Sequence, residues 1–180
     1  VQASCMHPIL LGKVKSWALV SNGMFQVEGS HQYCRLEGAG KSTNDSKCRL
    51  KFAKLKSTGR AIEKVVRSYG QDVSMLVDLC RQSIVFDEIA DIVKCVQAIT
   101  NDTEAIVIRV KNRLDLSYDS SISAGYRDVA LNLRIANKDS IELGVETHVC
   151  ELQLLLRPFA ELKSDEGHKR YVTFRNMRGE

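Results

Sequence analysis

The sequence predicts one α+β domain, built in α/β layers, in which a mixed β-sheet is flanked by helices. The first observation is the length, because 180 residues suit one domain with a single core. The second is the period of the apolar residues, which recur every three or four positions in some segments and alternate in others. The third is the order of these segments, helix–helix–strand–helix–strand–strand–strand–helix, which is typical of a mixed sheet between helical layers.

The N-terminal part of the chain carries the weakest pattern. Residues 1–50 are predicted to form an N-terminal extension, and residues 51–180 the domain itself. Two apolar runs of the extension, Ile9 to Leu11 and Trp17 to Val20, suit either a short helix or strands. The segment from Gly38 to Ser46 predicts a loop, because it is rich in Gly, Ser, Thr, Asn and Asp.

The first half of the predicted domain alternates between helix and strand. A cap at Ser57 or Thr58 and a stop at Gly70 predict a helix between them. A short second helix follows, and residues 79–86 then predict a strand. Asp87 starts a longer helix. Its apolar positions at 3–4 spacing are Ile89, Ile92, Val93, Val96 and Ile99.

The next segments predict a pair of strands. Residues 105–110 alternate between apolar and polar side chains. A polar loop follows at 114–124. Residues 126–135 alternate more cleanly, so we expect a second strand there.

The C-terminal segments predict one more strand and a final helix. Residues 137–140 predict a turn, and a partner strand could begin anywhere from 141 to 147. The apolar run at 148–156 predicts a buried strand. Pro158 suits the first turn of a helix from Phe159 to about Ser164.

Basic residues concentrate upstream of the first predicted strand. The net charge of +4 permits a polyanionic ligand without requiring one. Eight cations fall within 21 residues, opposed only by Glu63. Such a stretch is either a solvated helix face or a phosphate-binding face. Its cations are Lys47, Arg49, Lys51, Lys54, Lys56, Arg60, Lys64 and Arg67.

The cysteines and the hydropathy of the chain indicate the cellular compartment to expect. The six cysteines show neither a CxxC pair nor the spacing of a metal finger. Reduced thiols in an intracellular compartment, the cytoplasm or an organelle, are the simplest interpretation. No stretch is long and apolar enough to span a bilayer, so no membrane partner is expected.

Two further motifs carry little weight. Residues 38–43 look like a phosphate-binding loop, but Arg35 stands where the first glycine of that motif belongs. His148 and His168 have no Cys or His partner at metal-ligand spacing. A metal-dependent hydrolase is not supported, because the chain has no His-Asp dyad.

Two carboxylates are the strongest sign of chemistry. Glu151 interrupts an apolar strand, and Asp78 stands just before an earlier strand. A carboxylate in a buried strand is costly unless it is paired or binds a cation. Two of them on one sheet can hold Mg²⁺, and the upstream cations would neutralise a triphosphate. The alternative is structural: Asp78 caps a turn or pairs with Lys64 or Arg81, and Glu151 pairs with an arginine.

Three short segments then point to a family. They are Asp78-Leu79 before a strand, Gly125-Tyr126, and Cys150 to Leu154. They resemble, in this order and spacing, the metal-binding Asp, the Gly-Tyr-Gln-Ser-(Ile/Leu)-His segment and the Glu-Ile-Gln-Ile-Arg strand of the RelA/SpoT-type (p)ppGpp synthetases. The likeness covers residues 51–176, so the predicted domain 51–180 resembles a synthetase domain of this family.

The resemblance implies a nucleotidyltransferase-like fold and a reaction. The family transfers the β,γ-pyrophosphate of ATP to the 3′-hydroxyl of GDP or GTP, with Mg²⁺ as cofactor. The resemblance implies that Asp78 and Glu151 are catalytic and hold the metal, and that Glu151 is the candidate base. Tyr126 would stack on the acceptor base. The side chains implied for the ATP phosphates are Lys54, Lys56, Arg60, Lys64 and Arg81.

The chain departs from the family at several positions. Residues 127–130 read Arg-Asp-Val-Ala, so the family's His is absent, and Leu155 replaces its Arg. Lys111 to Asp115 matches the family's Arg-x-Lys-Asp signature only weakly. The departures leave a related nucleotide or a tRNA 3′ end as alternative acceptors. They also leave two other functions, an inactive nucleotide-binding regulatory module and an RNA-binding module that uses the basic stretch 47–67.

Overall fold

The computed structural model describes residues 1–36 and 49–162. Two short 3₁₀ turns, Val73–Met75 and Ser120–Ser123, lie between its longer elements. Within the described ranges, the helices and strands are α1 (Gln2–Val20), β1 (Met24–Gln26), β2 (Tyr33–Arg35), α2 (Thr58–Ser68), β3 (Arg81–Phe86), α3 (Ile89–Thr100), β4 (Ala105–Asn112), β5 (Val129–Ile135), α4 (Lys138–Glu142), β6 (Cys150–Leu156) and α5 (Arg157–Glu161).

The strands form one six-stranded sheet in the order β2-β1-β3-β6-β5-β4. The central strands β3 and β6 are parallel, and every other neighbouring pair is antiparallel. Parallel neighbours need a crossover connection, which residues 87–149 provide. The predicted α+β class, a mixed sheet flanked by helices, is confirmed.

Helices α1 and α3 cover one face of the sheet. Successive side chains of a strand point to opposite faces, so Cys150, Leu152 and Leu154 of β6 share a face, and all are fully buried. The helical residues packed in the same cluster recur every three or four positions, as one side of a helix requires. They are Met6, Leu10, Val14 and Trp17 of α1 and Ile92, Cys95 and Ile99 of α3.

The opposite face of the sheet is open and polar over β6 and β5. Glu151 and Gln153 alternate with the buried residues of β6 and are only half-buried. Asn132 and Arg134 of β5 are likewise half-buried between fully buried neighbours. This open face is where polar side chains from four strands can meet a ligand.

The N-terminal residues form one helix and two strands of the same sheet. Helix α1 contains both apolar runs that suited a short helix or strands, and it continues past Pro8. Gly23 then brings the chain into β1 so tightly that a Cβ there would lie 2.4 Å from a methyl carbon of Ile84. The division into an extension 1–50 and a domain 51–180 stays a prediction, although α1 and β1 share the core and the sheet.

The expected turn and strand between β5 and β6 are wrong. Residues 138–142 form the short helix α4 instead, because Asn137 and Ser140 make a capping box. The Asn137 side chain accepts a hydrogen bond from the N–H of Ser140, and the Ser140 hydroxyl accepts one from the N–H of Asn137, both at 2.9 Å. A tight local hydrogen-bond exchange therefore replaces strand pairing here.

Other element boundaries differ from the expectations by one to three residues, as is usual for helix and strand ends. The final helix begins at Arg157 rather than Phe159, and its predicted end lies outside the described residues. Three other predictions also concern residues outside the described ranges. They are the loop from Gly38 to Ser46, the basic residue Lys47, and His168. In the described part of the chain, no helix combines the length and the apolar character that crossing a membrane requires.

Candidate active site on the open face

Asp78 and Glu151 come from the same end of two parallel strands. Asp78 stands just before β3, and Glu151 of β6 lies directly opposite Arg81 of β3. The backbone N–H of Glu151 donates to the carbonyl oxygen of Cys80 at 3.0 Å, which fixes this register. The carboxylates are close enough for the charge of Asp78 to act on the pKa of Glu151.

Asp78 is buried and held by two lysines. Its Oδ2 accepts from Lys56 Nζ at 2.6 Å and from Lys64 Nζ at 2.9 Å. Burial acts to raise the pKa of Asp78, but the bonds from Lys56 and Lys64 outweigh it and lower the pKa below its usual range. The other oxygen, Oδ1, is buried and has no hydrogen-bond partner among the described residues.

Glu151 is in the opposite electrostatic situation. Burial raises the pKa of Glu151, and the negative charges of Asp78 and Asp128 raise it further. The positive charges of Lys64 and Arg81 offset only part of this effect. A carboxyl group with a raised pKa is a better proton acceptor than an ordinary glutamate, because its conjugate acid is more stable.

The two carboxylates fit a magnesium ion. Asp78 Oδ1 is a buried oxygen without a hydrogen-bond partner among the described residues, and the half-buried Glu151 is close enough for the charge of Asp78 to act on its pKa. Residues 1–36 and 49–162 contain no group of three His, Cys, Asp or Glu side chains that could hold a metal. Mg²⁺ does not need such a group, because it is commonly bound by one or two carboxylates, with water and substrate phosphates as its other ligands.

The predicted phosphate-binding residues divide into two groups. Lys56, Lys64 and Arg81 lie beside the carboxylates. The two lysines donate hydrogen bonds to Asp78, and the charge of Arg81 acts on the pKa of both Glu151 and Lys56. Lys54 and Arg60 are exposed, and no described contact links either to Asp78 or Glu151. The structure therefore brings three of the five predicted cations to the site.

A polar row crosses four strands beside the carboxylates. The strand register places Arg81 of β3 opposite Glu151 of β6, Glu151 opposite Asn132 of β5, and Asn132 opposite Arg109 of β4. Directly opposed residues share a face of the sheet. This row, Arg81–Glu151–Asn132–Arg109, therefore runs across the open face.

Strand β4 contributes cations that the sequence analysis did not identify as site residues. Arg109 and Lys111 are exposed on the open face. Burial lowers the pKa of Lys111, and the charges of Arg109, Arg113 and Lys64 lower it further. These groups therefore form one cationic surface. The signal in the sequence was a basic residue in the predicted strand 105–110, Arg109, followed two positions later by Lys111, just beyond that strand.

Tyr126 is anchored rather than free. Its hydroxyl donates to Asp128 Oδ2 at 2.9 Å, and its ring packs on the cluster that contains Met24, Val85 and Leu155. Asp128 is fully buried, and its Oδ1 accepts from Arg113 Nη1 at 2.5 Å. Asp128 is a second group that the sequence analysis missed. The stacking of Tyr126 on an acceptor base stays a prediction.

The loop before β5 is held in shape by glycine and arginine. Gly125 has a φ of +81°, which favours glycine and allows the sharp turn into Tyr126. The Arg127 guanidinium donates to the carbonyl oxygens of Arg113, Asp115 and Tyr118 at 2.9 to 3.0 Å. The loop is thus preorganised at the edge of the open face.

A cleft of about 450 Å³ lies along β3 and β1, and Asp78 and Glu151 are not among its lining residues. Ser83 and Val85 of β3 belong to its wall, and Ser83 shares a face with Arg81. Aromatic rings form another part of the wall, with Phe25 and Phe52 packed edge to face at 5.1 Å. The lining residues include Phe25, Gln26, Tyr33, Lys51, Phe52, Ser83, Val85 and Leu155. A larger cavity, of about 590 Å³, contains none of the predicted site residues.

No model of a known protein family matches the chain, and no curated protein matches it. Solved structures do. The chain is similar to small alarmone synthetase 2 of Bacillus subtilis, with 20% identity, a TM-score of 0.51, and coverage of 68% of this chain and 62% of that one. It is also similar to small alarmone synthetase 1 of Bacillus subtilis bound to its product pppGpp, with 17% identity, a TM-score of 0.54, and coverage of 70% and 67%.

A third similar structure is the complex between the Type VI effector Tas1 and its immunity protein. That match has 16% identity and a TM-score of 0.51, and covers 96% of this chain and 72% of the other. At such identities the similarity is one of fold. The protein therefore has the fold of the small alarmone synthetases, as the resemblance to RelA/SpoT-type synthetases predicted, and it spans about three fifths of the first synthetase's length (62%).

Proposed function

We propose that the protein transfers the β,γ-pyrophosphate of ATP to the ribose 3′-hydroxyl of GDP, GTP or a related nucleotide, with Mg²⁺ as cofactor. One observation carries the proposal. A parallel strand pair in an alarmone synthetase fold brings Asp78 and Glu151 to the same end of the sheet, beside Lys56, Lys64 and Arg81. Carboxylates beside cations are what phosphoryl and pyrophosphoryl transfer require.

The donor is proposed to bind over β3. Lys64 and Arg81 would contact its phosphates directly, and Lys56, at the base of the site, would add positive charge beneath them. Lys54 and Arg60 stay predicted phosphate ligands at the exposed rim. The aromatic cleft beside Ser83 suits a flat nucleoside base, because rings stack on bases of any identity.

Asp78 Oδ1 and Glu151 would hold Mg²⁺. When bound, the metal neutralises charge on the phosphate oxygens. The chain itself supplies the proton acceptor, since the raised pKa of Glu151 suits it to take the proton of the attacking hydroxyl. The ribose oxygen forms a bond to the β-phosphorus, the bond from that phosphorus to the α–β bridging oxygen breaks, and AMP leaves.

The acceptor is proposed to bind between Tyr126 and strand β4. The anchored Tyr126 ring offers a fixed aromatic surface, and the exposed Arg109 and Lys111 offer positive charge for acceptor phosphates. Guanosine nucleotides are the default acceptor. The RNA-binding alternative loses support, because Lys56 and Lys64 of the basic stretch point inward to Asp78.

The test is a product assay with each acceptor in turn. Wild-type protein with ATP, Mg²⁺ and GDP or GTP should release AMP and form a 3′-pyrophosphorylated nucleotide. Asp78→Asn and Glu151→Gln should each slow AMP release by about 100-fold or more. Glu142→Gln, at an exposed residue of α4, is the matched control and should leave the rate unchanged.

Two outcomes would replace the proposal. Wild-type protein that makes AMP no faster than the doubly substituted Asp78→Asn/Glu151→Gln protein would exclude the transferase. Tight nucleotide binding without turnover would then indicate the regulatory module. RNA affinity that falls steeply with salt and survives loss of both acids would indicate the RNA-binding module.

A further inference from the structure

The contact between Asp78 and its two lysines has a bearing on when a metal can bind. One carboxylate oxygen, Asp78 Oδ2, is shared by Lys56 Nζ at 2.6 Å and Lys64 Nζ at 2.9 Å. The side chains of Asp78 and Lys56 are only 7% and 9% exposed, so water screens this cluster weakly. The oxygen that faces the lysines is already fully used as a hydrogen-bond acceptor.

The surroundings of the cluster are also positive. Arg81 lies close enough for its charge to act on the pKa of Lys56 and of Glu151. The charge of Lys64 likewise lowers the pKa of Lys111. Among the described residues, four cations therefore lie near the two carboxylates proposed to hold a metal, Asp78 and Glu151. The cations are Lys56, Lys64, Arg81 and Lys111. A divalent cation that entered beside Asp78 Oδ1 would meet two ammonium groups across a single carboxylate, and like charges at such distances repel strongly.

We propose that Lys64 keeps the divalent-cation position at Asp78 closed in the nucleotide-free protein, and that a nucleoside triphosphate opens it by taking the Lys64 ammonium group onto its phosphate oxygens. The metal then enters together with the triphosphate rather than before it. This inference rests on the proposed function, because it concerns the same carboxylates.

The geometry selects Lys64 over Lys56 as the group that moves. The Lys64 side chain is 24% exposed, against 9% for Lys56. Its ammonium also lies 5.2 Å from the centre of the Tyr69 ring, so it has a second favourable contact. Lys56 is the more buried of the two, and its backbone N–H donates to the carbonyl oxygen of Leu79 at 3.0 Å, which holds the main chain at this position. We therefore expect the ammonium group of Lys56 to move less than that of Lys64.

The experiment measures Mn²⁺ binding to the whole chain without nucleotide, by electron paramagnetic resonance of the free ion. Lys64→Met keeps the length of the side chain and removes its charge, and we expect it to bind Mn²⁺ about tenfold more tightly than wild type, or better. Lys94→Met, at an exposed lysine paired with Asp91, is the matched control and should bind as wild type does. Circular dichroism establishes that each variant is folded.

A companion titration adds the ATP analogue with a methylene bridge between its α- and β-phosphorus atoms. The water-proton relaxation of Mn²⁺ should then report a ternary complex with wild-type protein, and Asp78→Asn should abolish it. Lys64→Met that binds Mn²⁺ no more tightly than wild type would overturn the inference. If the wild-type protein nevertheless released AMP in the product assay, the proposed function would stand while the gating role of Lys64 would fall.

Discussion

The ionised form of Glu151 is unfavourable in the folded protein. Its carboxyl group sits in a strand whose other face is fully buried, and its pKa is raised by burial and by the charge of Asp78. A carboxyl group whose pKa is higher in the folded than in the unfolded chain makes folding less favourable once it ionises. Above its raised pKa, the ionised Glu151 therefore costs stability, and the same raised pKa suits the role of proton acceptor proposed for it.

The first prediction concerns Glu151→Gln. The substitution keeps the shape of the side chain and removes the charge, so we expect a melting temperature equal to or above that of wild type at pH 7. AMP release should fall by about 100-fold or more in the same protein. Thermal unfolding and the product assay check the two halves. A clear drop in melting temperature would mean that Glu151 is a structural ion-pair partner.

Asp128 and Tyr126 share a buried network that the sequence did not reveal. Asp128 is fully buried between the Arg113 guanidinium and the Tyr126 hydroxyl. Gly125-Tyr126 could be recognised as a motif, but the partner of the hydroxyl is set by how the loop folds back on β5. Asp128 falls within the strand predicted at 126–135, where no local pattern indicates its contact with Arg113.

The second prediction compares two substitutions in this network. Asp128→Asn removes the charge of a fully buried carboxylate that is paired with the half-buried Arg113 guanidinium, and should cost about 3 kcal/mol of the free energy of unfolding. Tyr126→Phe removes one hydrogen bond and should cost about 1 kcal/mol. Chemical denaturation measures both values. Equal costs would show that the Arg113–Asp128 pair contributes little.

At the scale of elements, helix α1 is tied to the turn before β4 by one carboxylate. Asp102 Oδ2 accepts from Lys13 Nζ at 2.8 Å and from the Trp17 indole at 3.0 Å. Burial acts to raise the pKa of Asp102, but the bonds from Lys13, the backbone N–H of Glu104 and Trp17 outweigh it and lower the pKa. This tie adds a polar anchor to the apolar face of α1.

The third prediction is the pH dependence of this tie. Because the folded pKa of Asp102 is depressed, its contribution is present above the unfolded value of about 3.9 and is lost as the pH falls through the folded pKa. At pH 7, Asp102→Asn should cost about 2 kcal/mol. The difference in melting temperature between wild type and variant should shrink below about pH 4. A difference that is the same at pH 7 and pH 3 would contradict this assignment.

The elements also show where sequence patterns suffice. The amphipathic repeat of α3 and the alternation of β5 follow from burial on one side, so both were predictable. For α1 the sequence left a short helix or strands open and did not predict one long helix, in which Pro8 lacks the N–H that helical continuity normally uses. Packing of α1 on the sheet outweighs that loss. Helix α4 was missed since a capping box of Asn137 and Ser140 uses residues that also make turns.

At the scale of the whole molecule, the sheet separates two tasks. Its helix-covered face forms the apolar core, and its open face carries the row Arg81–Glu151–Asn132–Arg109 with Lys111 beside it. Opposite signs of charge lie along this row, and Lys111 adds a second cation beside Arg109 on β4. An anionic ligand on this face would therefore find positive charge on both sides of the carboxylates.

The fourth prediction tests the β4 side of this face. Arg109→Gln and Lys111→Gln should each raise the KM for the acceptor nucleotide by about tenfold, with a smaller change in kcat, because they remove phosphate contacts. Lys138→Gln, at an exposed lysine of α4, is the control. Steady-state kinetics with varied acceptor measures the effect. Unchanged KM values in both variants would place the acceptor elsewhere.

Residue patterns along the chain were enough to predict the α+β class, most of the central strands and helices, and the candidate pair Asp78 and Glu151. Local periodicity, and an acid in or just before an apolar strand, are properties of neighbouring residues. The groups that surround this pair could not be predicted in the same way, because they come from distant parts of the chain. The parallel register of β3 and β6 brings Arg81 opposite Glu151, and β5 and β4 add Asn132 and Arg109. The folded chain also brings the ammonium groups of Lys56 and Lys64 to Asp78, while Lys54 and Arg60 remain exposed to solvent. Contacts between residues far apart in the chain depend on strand order and register, which no local pattern encodes.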